Sequence, residues 1–286
     1  FQQTSANRRT VDFLSELAAV NIGVEKDHLM LGTYLEFTEK LSGKRIVPVS
    51  GLVEKLREIK DEEEIGYIRM AEEISCDAFN YICSKIRPGV SERTIATELE
   101  YYMLTHGGEG LSFDTICVSG AKSSYPHGVP GEKLIERGDF VTLDFGCVVN
   151  GYHADITRTV AVGSASDEMK KIYNIVLEAQ LACCNRIKAG LKGDECHAIA
   201  ADIIAEAGYG EYFGHGLGHG CGLEVHESPR FSPTYKEIIP ENCVMSIEPG
   251  IYLPGKFGVR IEDLCVVTAD GIINLASKAT KELIIL

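Results

Sequence analysis

Two stretches of this chain repeat one another at long range, and acidic residues occupy matching places in both. Ile86-Arg-Pro-Gly89-Val opens a predicted helix that runs to Thr105-His-Gly107. Displaced by 101 residues, Ile187-Lys-Ala-Gly190-Leu opens another that runs to Glu206-Ala-Gly208. A predicted β-hairpin follows each helix. The first carries Val141-Thr-Leu-Asp144-Phe-Gly146 and then Asp155-Ile-Thr-Arg158, and the second carries Val244-Met-Ser-Ile-Glu248-Pro-Gly250 and then Arg260-Ile-Glu262-Asp263. Asp144 thus corresponds to Glu248, and Asp155 to Glu262. An internal repeat of this kind means two copies of one supersecondary unit. A pseudo-twofold axis between them would bring carboxylates more than 100 residues apart face to face.

His219 joins these four acids, and the five together have the composition of a metal centre. A single zinc ion takes three or four ligands, mostly nitrogen and sulfur. Four carboxylates with one imidazole suit harder ions such as Mn, Mg, Co or Fe, and in that number they suit two of them. Paired cations activate water and clamp a developing oxyanion. Asp144 follows Val-Thr-Leu and precedes Phe, a buried-strand context in which an unpaired carboxylate is costly. Asp144 and Asp155 lie on either side of Asn150-Gly151, a strong hairpin signal.

Gly214-His215-Gly-Leu-Gly-His219-Gly-Cys-Gly-Leu-Glu-Val-His226 is dense in glycine. The i, i+4 spacing of His215 and His219 would mark a zinc pair on a helix, but this much glycine forbids a stable helix. An extended glycine track instead lets backbone and imidazole approach a ligand closely. Tyr125-Pro-His127-Gly is a weaker signal, and His127 gains meaning only from the other motifs.

The rest of the chain is read more simply. Residues 11–20 form an amphipathic helix, 21–25 a short strand and about 32–42 a second helix, with a linker around Val47-Pro48. This αβα piece has no partner strand of its own. Leu52 to Ile86 reads as one long charged helix with apolar positions at Ile65, Ile68, Met70, Ala71, Ile74 and Phe79. The expected division is therefore residues 1–53 and 54–286. With 45% hydrophobic and 24% charged residues the composition is that of a soluble globular chain. No apolar run reaches the length of a membrane helix, and Phe1-Gln-Gln-Thr-Ser has none of the pattern of a signal peptide. The net charge of −14 argues against nucleic acid and anionic membranes as partners. Ten cysteines without a CxxC spacing are expected to be reduced and buried in a cytoplasmic protein. Cys147 and Cys221, close to Asp144 and His219, are minor candidates for a metal role.

Taken together, these runs resemble the pita-bread metallopeptidase superfamily, which includes methionine aminopeptidase, aminopeptidase P and prolidase. The likeness spans residues 54–286. His215-Gly-Leu-Gly-His219, with the partial domain before it, resembles the Xaa-Pro aminopeptidase and Xaa-Pro dipeptidase (prolidase) branch. In that branch a small creatinase-like α/β domain precedes the catalytic one, and residues 1–53 resemble only the end of it. The resemblance implies an α+β pita-bread fold and two divalent cations, Mn first and Co, Zn or Fe as alternatives. It also implies proline-containing peptides as substrates and a homodimer. By motif, Asp144 is expected on one cation, His219 on the other, and Asp155 and Glu262 between them, with Glu248 completing the set. His127 and His226 would bind the scissile carbonyl and its oxyanion, His215 would line the proline side, and Arg260 would hold a ligand carboxylate. Glu248 would carry the proton from water to the leaving nitrogen.

Three rival readings have distinct signatures. A methionine aminopeptidase would share the ligands but cleave Met-Ala-Ser. Creatinase-type C–N hydrolysis uses this fold without metals, and a non-catalytic protein-binding module would have lost ligands. Retention of all five argues against the last two.

Overall fold

The computed structural model describes residues 5–286. The chain divides into two units, one ending at Leu56 and the other running from Arg57 to Leu286. In the first unit, α1 (Ala6–Glu16) begins at a cap in which the Ser5 hydroxyl accepts from the Arg8 N–H, and it ends where Leu17 turns extended. The helix thus starts and stops earlier than the apolar spacing of 11–20 predicts. Strand β1 (Asn21–Glu25), α2 (Leu31–Lys40) and β2 (Arg45–Val49) follow. The expected linker is wrong: β2 pairs in parallel with β1, placing Pro48 opposite Val24. Both strands of a two-stranded sheet are edges, where a missing proline N–H is tolerated. Val11, Phe37 and Leu41 form a small core beneath this sheet.

The expected long helix is two. Helix α3 (Leu52–Arg57) stops, and α4 (Glu62–Cys83) starts afresh at a capping box. Asp61 accepts from the Glu64 N–H at 2.9 Å while its own N–H donates to Glu64 Oε2 at 2.7 Å. A charged run concealed this start. Met70, read as a core position, is 52% exposed, whereas Ile68, Ala71 and Phe79 are buried as expected. Asp61→Ala should cost about 1 kcal/mol of stability, read from the midpoint of urea unfolding.

Helix α5 (Glu92–Thr105), the two-residue β3 (Gly110–Leu111), β4 (Ile116–Ser119), β5 (Phe140–Phe145), β6 (Cys147–Val149), β7 (Tyr152–His153) and β8 (Ile156–Ala161) complete the first half of the second unit. The second half comprises α6 (Asp167–Arg186), α7 (Gly193–Glu206), β9 (Gly218–Gly220), β10 (Glu227–Phe231), β11 (Val244–Ile247), β12 (Gly250–Leu253), β13 (Phe257–Arg260), β14 (Asp263–Val267) and β15 (Ile272–Asn274). Helices α5 and α7 begin and end 101 residues apart, so the repeat is structural. Strands β4, β5 and β8 form one antiparallel sheet, and β10-β9-β11-β14-β15 another. A bridge between Thr157 and Glu262 joins the two halves.

Each half supplies its own core. Residues of α4 and α5 pack with Val141, Leu143 and Phe145, and those of α6 and α7 pack with Met245, Ile247 and Cys265. Side chains alternate along a strand. With Val141, Leu143 and Phe145 turned toward α4 and α5, Thr142 and Asp144 face the other way, toward the middle of the molecule. Asn150 (φ 48°) and Gly151 (φ 78°) make the two-residue turn between β6 and β7, the left-handed pair that a primed turn requires.

Candidate metal centre

Each of the four acids sits at a strand end near the junction of the halves. Asp144 lies on β5 opposite Thr157, Asp155 immediately precedes β8, Glu248 immediately follows β11, and Glu262 immediately precedes β14. His219 is the middle residue of β9, which is threaded between β10 and β11. Glycine flanks it for a steric reason. A Cβ on Gly218 would lie 2.0 Å from the Ser246 carbonyl oxygen, and one on Gly220 would lie 2.4 Å from that of Ser228.

Donor atoms of Asp155, His219 and Glu262 all lie within 4.8 Å of one another, and all three residues are buried. His219 Nε2 is 3.5 Å from Asp155 Oδ2 and 3.4 Å from Glu248 Oε1. Its Nδ1 lies 3.1 Å from the Gly220 carbonyl oxygen, so the ring proton belongs on Nδ1 and the Nε2 lone pair points at the carboxylates. Burial, with His226 close by, lowers the His219 pKa to about 3, which keeps the ring neutral. Both separations are longer than a normal hydrogen bond, which leaves the Nε2 lone pair free to bind a cation. Asp144 Oδ1 is buried and has no hydrogen-bond partner. The donor set and this orphaned oxygen fit a site for divalent cations.

Crowding of acids has the expected electrostatic effect. Burial and then the charges of Glu262, Asp144 and Glu248 raise Asp155 well above its ordinary range. Burial and the charges of Glu248 and Asp144 do the same to Glu262. Glu248 is raised to about 7, mainly by burial, with Arg260 opposing the rise. In metal-free protein these groups hold protons that a cation would displace.

A polar frame fixes the cluster. Arg260 donates to Asp144 Oδ2 at 2.5 Å, to Thr157 Oγ1 at 3.0 Å and to Tyr252 Oη at 2.8 Å. Thr157 Oγ1 donates to Glu262 Oε2 at 2.6 Å, and Ser246 Oγ donates to Glu248 Oε1 at 3.2 Å. His215 Nε2 is 2.9 Å from Tyr252 Oη, and its Nδ1 is 2.7 Å from the Gly216 carbonyl oxygen. With both nitrogens engaged, His215 offers ring surface to the cavity, and burial lowers its pKa to about 4.

All nine residues singled out in the sequence line one cavity of about 890 Å³: Asp144, Asp155, His219, Glu248 and Glu262 with His127, His215, His226 and Arg260. The His226 and His219 rings meet edge to face, 4.4 Å apart. Cys147 and Cys221 are not among the lining residues. Their thiols donate to the carbonyls of Ala71 and His153, each at 3.4 Å, and burial raises both pKa values, Cys147 to about 11. Both thiols are turned to backbone carbonyls and neither lines the cavity, so the geometry gives the minor metal role no support.

Three neighbours escaped the sequence reading. Glu72 on α4 is fully buried, accepts from the Asp155 N–H at 3.2 Å, and is raised to about 8, first by burial and then by Asp263. Its spacing from Ile68, Ser75 and Phe79 on one helical face was a usable signal. Tyr252 links His215 to Arg260. Arg230 lines the cavity, and burial lowers its pKa while the charge of Glu248 opposes that shift; among the described residues it pairs with no carboxylate.

Comparison with known proteins agrees with this geometry. Residues 2–59 match the creatinase/prolidase N-terminal domain, and residues 66–269 match metallopeptidase family M24. An Xaa-Pro dipeptidase of Pyrococcus horikoshii is 45% identical over 264 residues, covering 92% of this chain and 75% of the relative. Among solved structures, an Xaa-Pro dipeptidase from Bacillus anthracis superposes with a TM-score of 0.97 at 48% identity, covering 100% of this chain and 80% of that one. An X-Pro aminopeptidase from Thermotoga maritima superposes at 0.94 with 40% identity, covering 100% and 81%. These likenesses extend over both units and establish the α+β pita-bread fold with its creatinase-type N-terminal domain. With most of its second unit matched and a cluster of buried acids around a neutral imidazole, the chain belongs to metallopeptidase family M24 and is a metal-dependent peptidase.

Proposed function

We propose that the protein is an exopeptidase that cleaves the bond between an N-terminal residue and proline. The observation that carries the metal-dependent chemistry is the neutral His219 Nε2 facing the oxygens of Asp155 and Glu248 beside Glu262. The relatives named for Xaa-Pro hydrolysis support the substrate. Asp144, Asp155, His219, Glu248 and Glu262 would hold two divalent cations, with manganese first because the set is rich in hard oxygen donors. When bound, such cations lower the pKa of water and neutralise charge at a polarised carbonyl oxygen.

The remaining roles belong to side chains. Glu248 accepts the proton of the attacking water and delivers it to the prolyl nitrogen as the C–N bond breaks. His226, which burial keeps neutral at pH 7, has a ring N–H to donate to the oxyanion, and His127 lines the same cavity for the same task. An Xaa-Pro bond is a tertiary amide without an N–H, so recognition falls on the carbonyl and the pyrrolidine ring. The His215 ring supplies an apolar surface for that ring. Arg260 keeps Asp144 aimed inward.

Arg230 decides peptide length in this reading. An unpaired guanidinium in the cavity is suited to the free carboxylate of a dipeptide. Arg230→Ala is expected to raise KM for an Xaa-Pro dipeptide about 10- to 100-fold. The change for an Xaa-Pro-containing tripeptide should be much smaller. Equal changes for both substrates would remove Arg230 from this role.

The ten unpaired thiols fit a reducing cytoplasm. A homodimer is part of the same reading, and sedimentation equilibrium giving twice the chain mass checks it. The substrate is tested by depleting the protein of metal, restoring Mn, and assaying Xaa-Pro dipeptides, longer Xaa-Pro peptides and Met-Ala-Ser side by side. Cleavage before proline with Met-Ala-Ser left intact is expected. Preferential cleavage of Met-Ala-Ser would replace the proposal with methionine aminopeptidase.

A further inference from the structure

His127 reaches the cavity without a side-chain contact of its own to hold it. The residue is exposed, and among the described residues its ring makes no hydrogen bond. Its place is therefore set by the backbone of residues 119–131, of which Pro126, His127, Gly128, Val129 and Pro130 line the cavity in succession.

One buried carboxylate takes hold of both ends of that segment. Glu92, in the first turn of α5, is fully buried and has no part in the chemistry described above. At the near end its Oε1 accepts from the Ser119 N–H at 2.7 Å and from the Ser119 hydroxyl at 3.0 Å. At the far end its Oε2 accepts from the Gly131 N–H at 3.1 Å. Lys122 Nζ, inside the segment, donates to the same Oε2 at 2.7 Å. The α5 backbone supports the far end, where the Arg93 N–H donates to the Gly131 carbonyl at 3.0 Å. The middle rests on β13 of the other half: Arg260 donates to the Pro126 carbonyl at 3.3 Å, and the Gly258 N–H to Ser123 Oγ at 2.9 Å.

We propose that Glu92 is a positioning residue, which by clasping Ser119, Lys122 and Gly131 fixes where His127 stands over the scissile carbonyl. The role rests on the assignment of His127 to the oxyanion. A donor moved by about 1 Å loses much of its effect on a transition state. Glu92 suits the task because a carboxylate only accepts, and every group turned toward it is a donor. In Glu92→Gln the size is kept and that match is lost. Whichever way the amide turns, its –NH2 faces a backbone N–H at one end of the segment.

The test uses the full chain loaded with Mn. Glu92→Gln is expected to lower kcat on an Xaa-Pro dipeptide about 10- to 100-fold, with KM within about threefold and bound metal unchanged. His127→Ala should lower kcat by itself, and adding Glu92→Gln to it should cost no more than about a further twofold. Lys122→Met, at a partly exposed position, should give the same pattern with a smaller loss, and it serves if Glu92→Gln does not fold. Hydrogen exchange reads the clasp whatever peptide is cleaved. Residues 120–131 should exchange faster in either variant, with the strands bearing Asp144 and His219 unchanged. Unaltered exchange in 120–131 would overturn the proposal, as would losses from His127→Ala and Glu92→Gln that multiply in full. Normal kcat in His127→Ala would overturn it by another route, by removing the oxyanion role of His127 itself.

Discussion

Replacing Glu248 with glutamine is expected to lower kcat on an Xaa-Pro peptide by about 10³-fold while leaving the fold intact. The amide has the size of the carboxylate and still accepts from Ser246 Oγ, the hydrogen bond that now sits at 3.2 Å. It cannot take a proton from water or return one to the prolyl nitrogen. The 17% side-chain exposure of Glu248 places it at the open edge of the cluster, as the proposed relay requires. Bound metal measured on the same sample separates a lost proton relay from a lost cation. Retained metal with lost turnover is the expected pair, and near-normal turnover would refute the relay.

Removing the metal is expected to destabilise the protein, and by more at pH 8 than at pH 6. The sign follows from the acids. Glu248 is raised from 4.5 to about 7 in the metal-free fold, and Asp155 and Glu262 are raised well above their ordinary values. Below pH 4.5 folded and unfolded chains both carry the Glu248 proton, and no penalty arises. Between 4.5 and about 7 the unfolded chain releases it while the folded chain keeps it, so stability falls as pH rises. Glu248 alone accounts for about 3 kcal/mol across that window, and the other two acids, raised in the same direction, add to the loss. A cation requires the ionised carboxylates, so its stabilisation grows over the same range. Thermal unfolding with and without Mn at the two pH values reads this directly. A metal-induced rise in Tm that is the same at pH 6 and pH 8 would contradict the crowding of acids.

Much of the centre was legible in the sequence because buried strands impose a period of two and the repeat imposes a partner. Asp144 inside an apolar run, matched to Glu248, had no cheap alternative to convergence. The glycines around His219 were equally readable, since only hydrogen fits against the Ser246 and Ser228 carbonyls. Where the reading failed, a local signal masked a tertiary one. Pro48 looked like a linker because proline rarely joins a strand, yet an edge strand accepts it. The acidic run around Asp61 looked like continuous helix, though it holds a helix stop and a new cap. Arg230 carries no motif of its own, because its meaning depends on lining a cavity without a partner, which only the fold reveals. Glu72 was lost among other charges on a helix whose buried face could have exposed it.

The central claim is that side chains from both halves form one cation site. It is tested most directly by titrating Mn into metal-depleted wild type and into Asp155→Asn, with bound metal counted per chain. About two ions per wild-type chain are expected, with clear loss of binding in the variant and also in His219→Ala. Binding that is absent from the wild type, or unchanged when Asp155 and His219 are replaced, would contradict it.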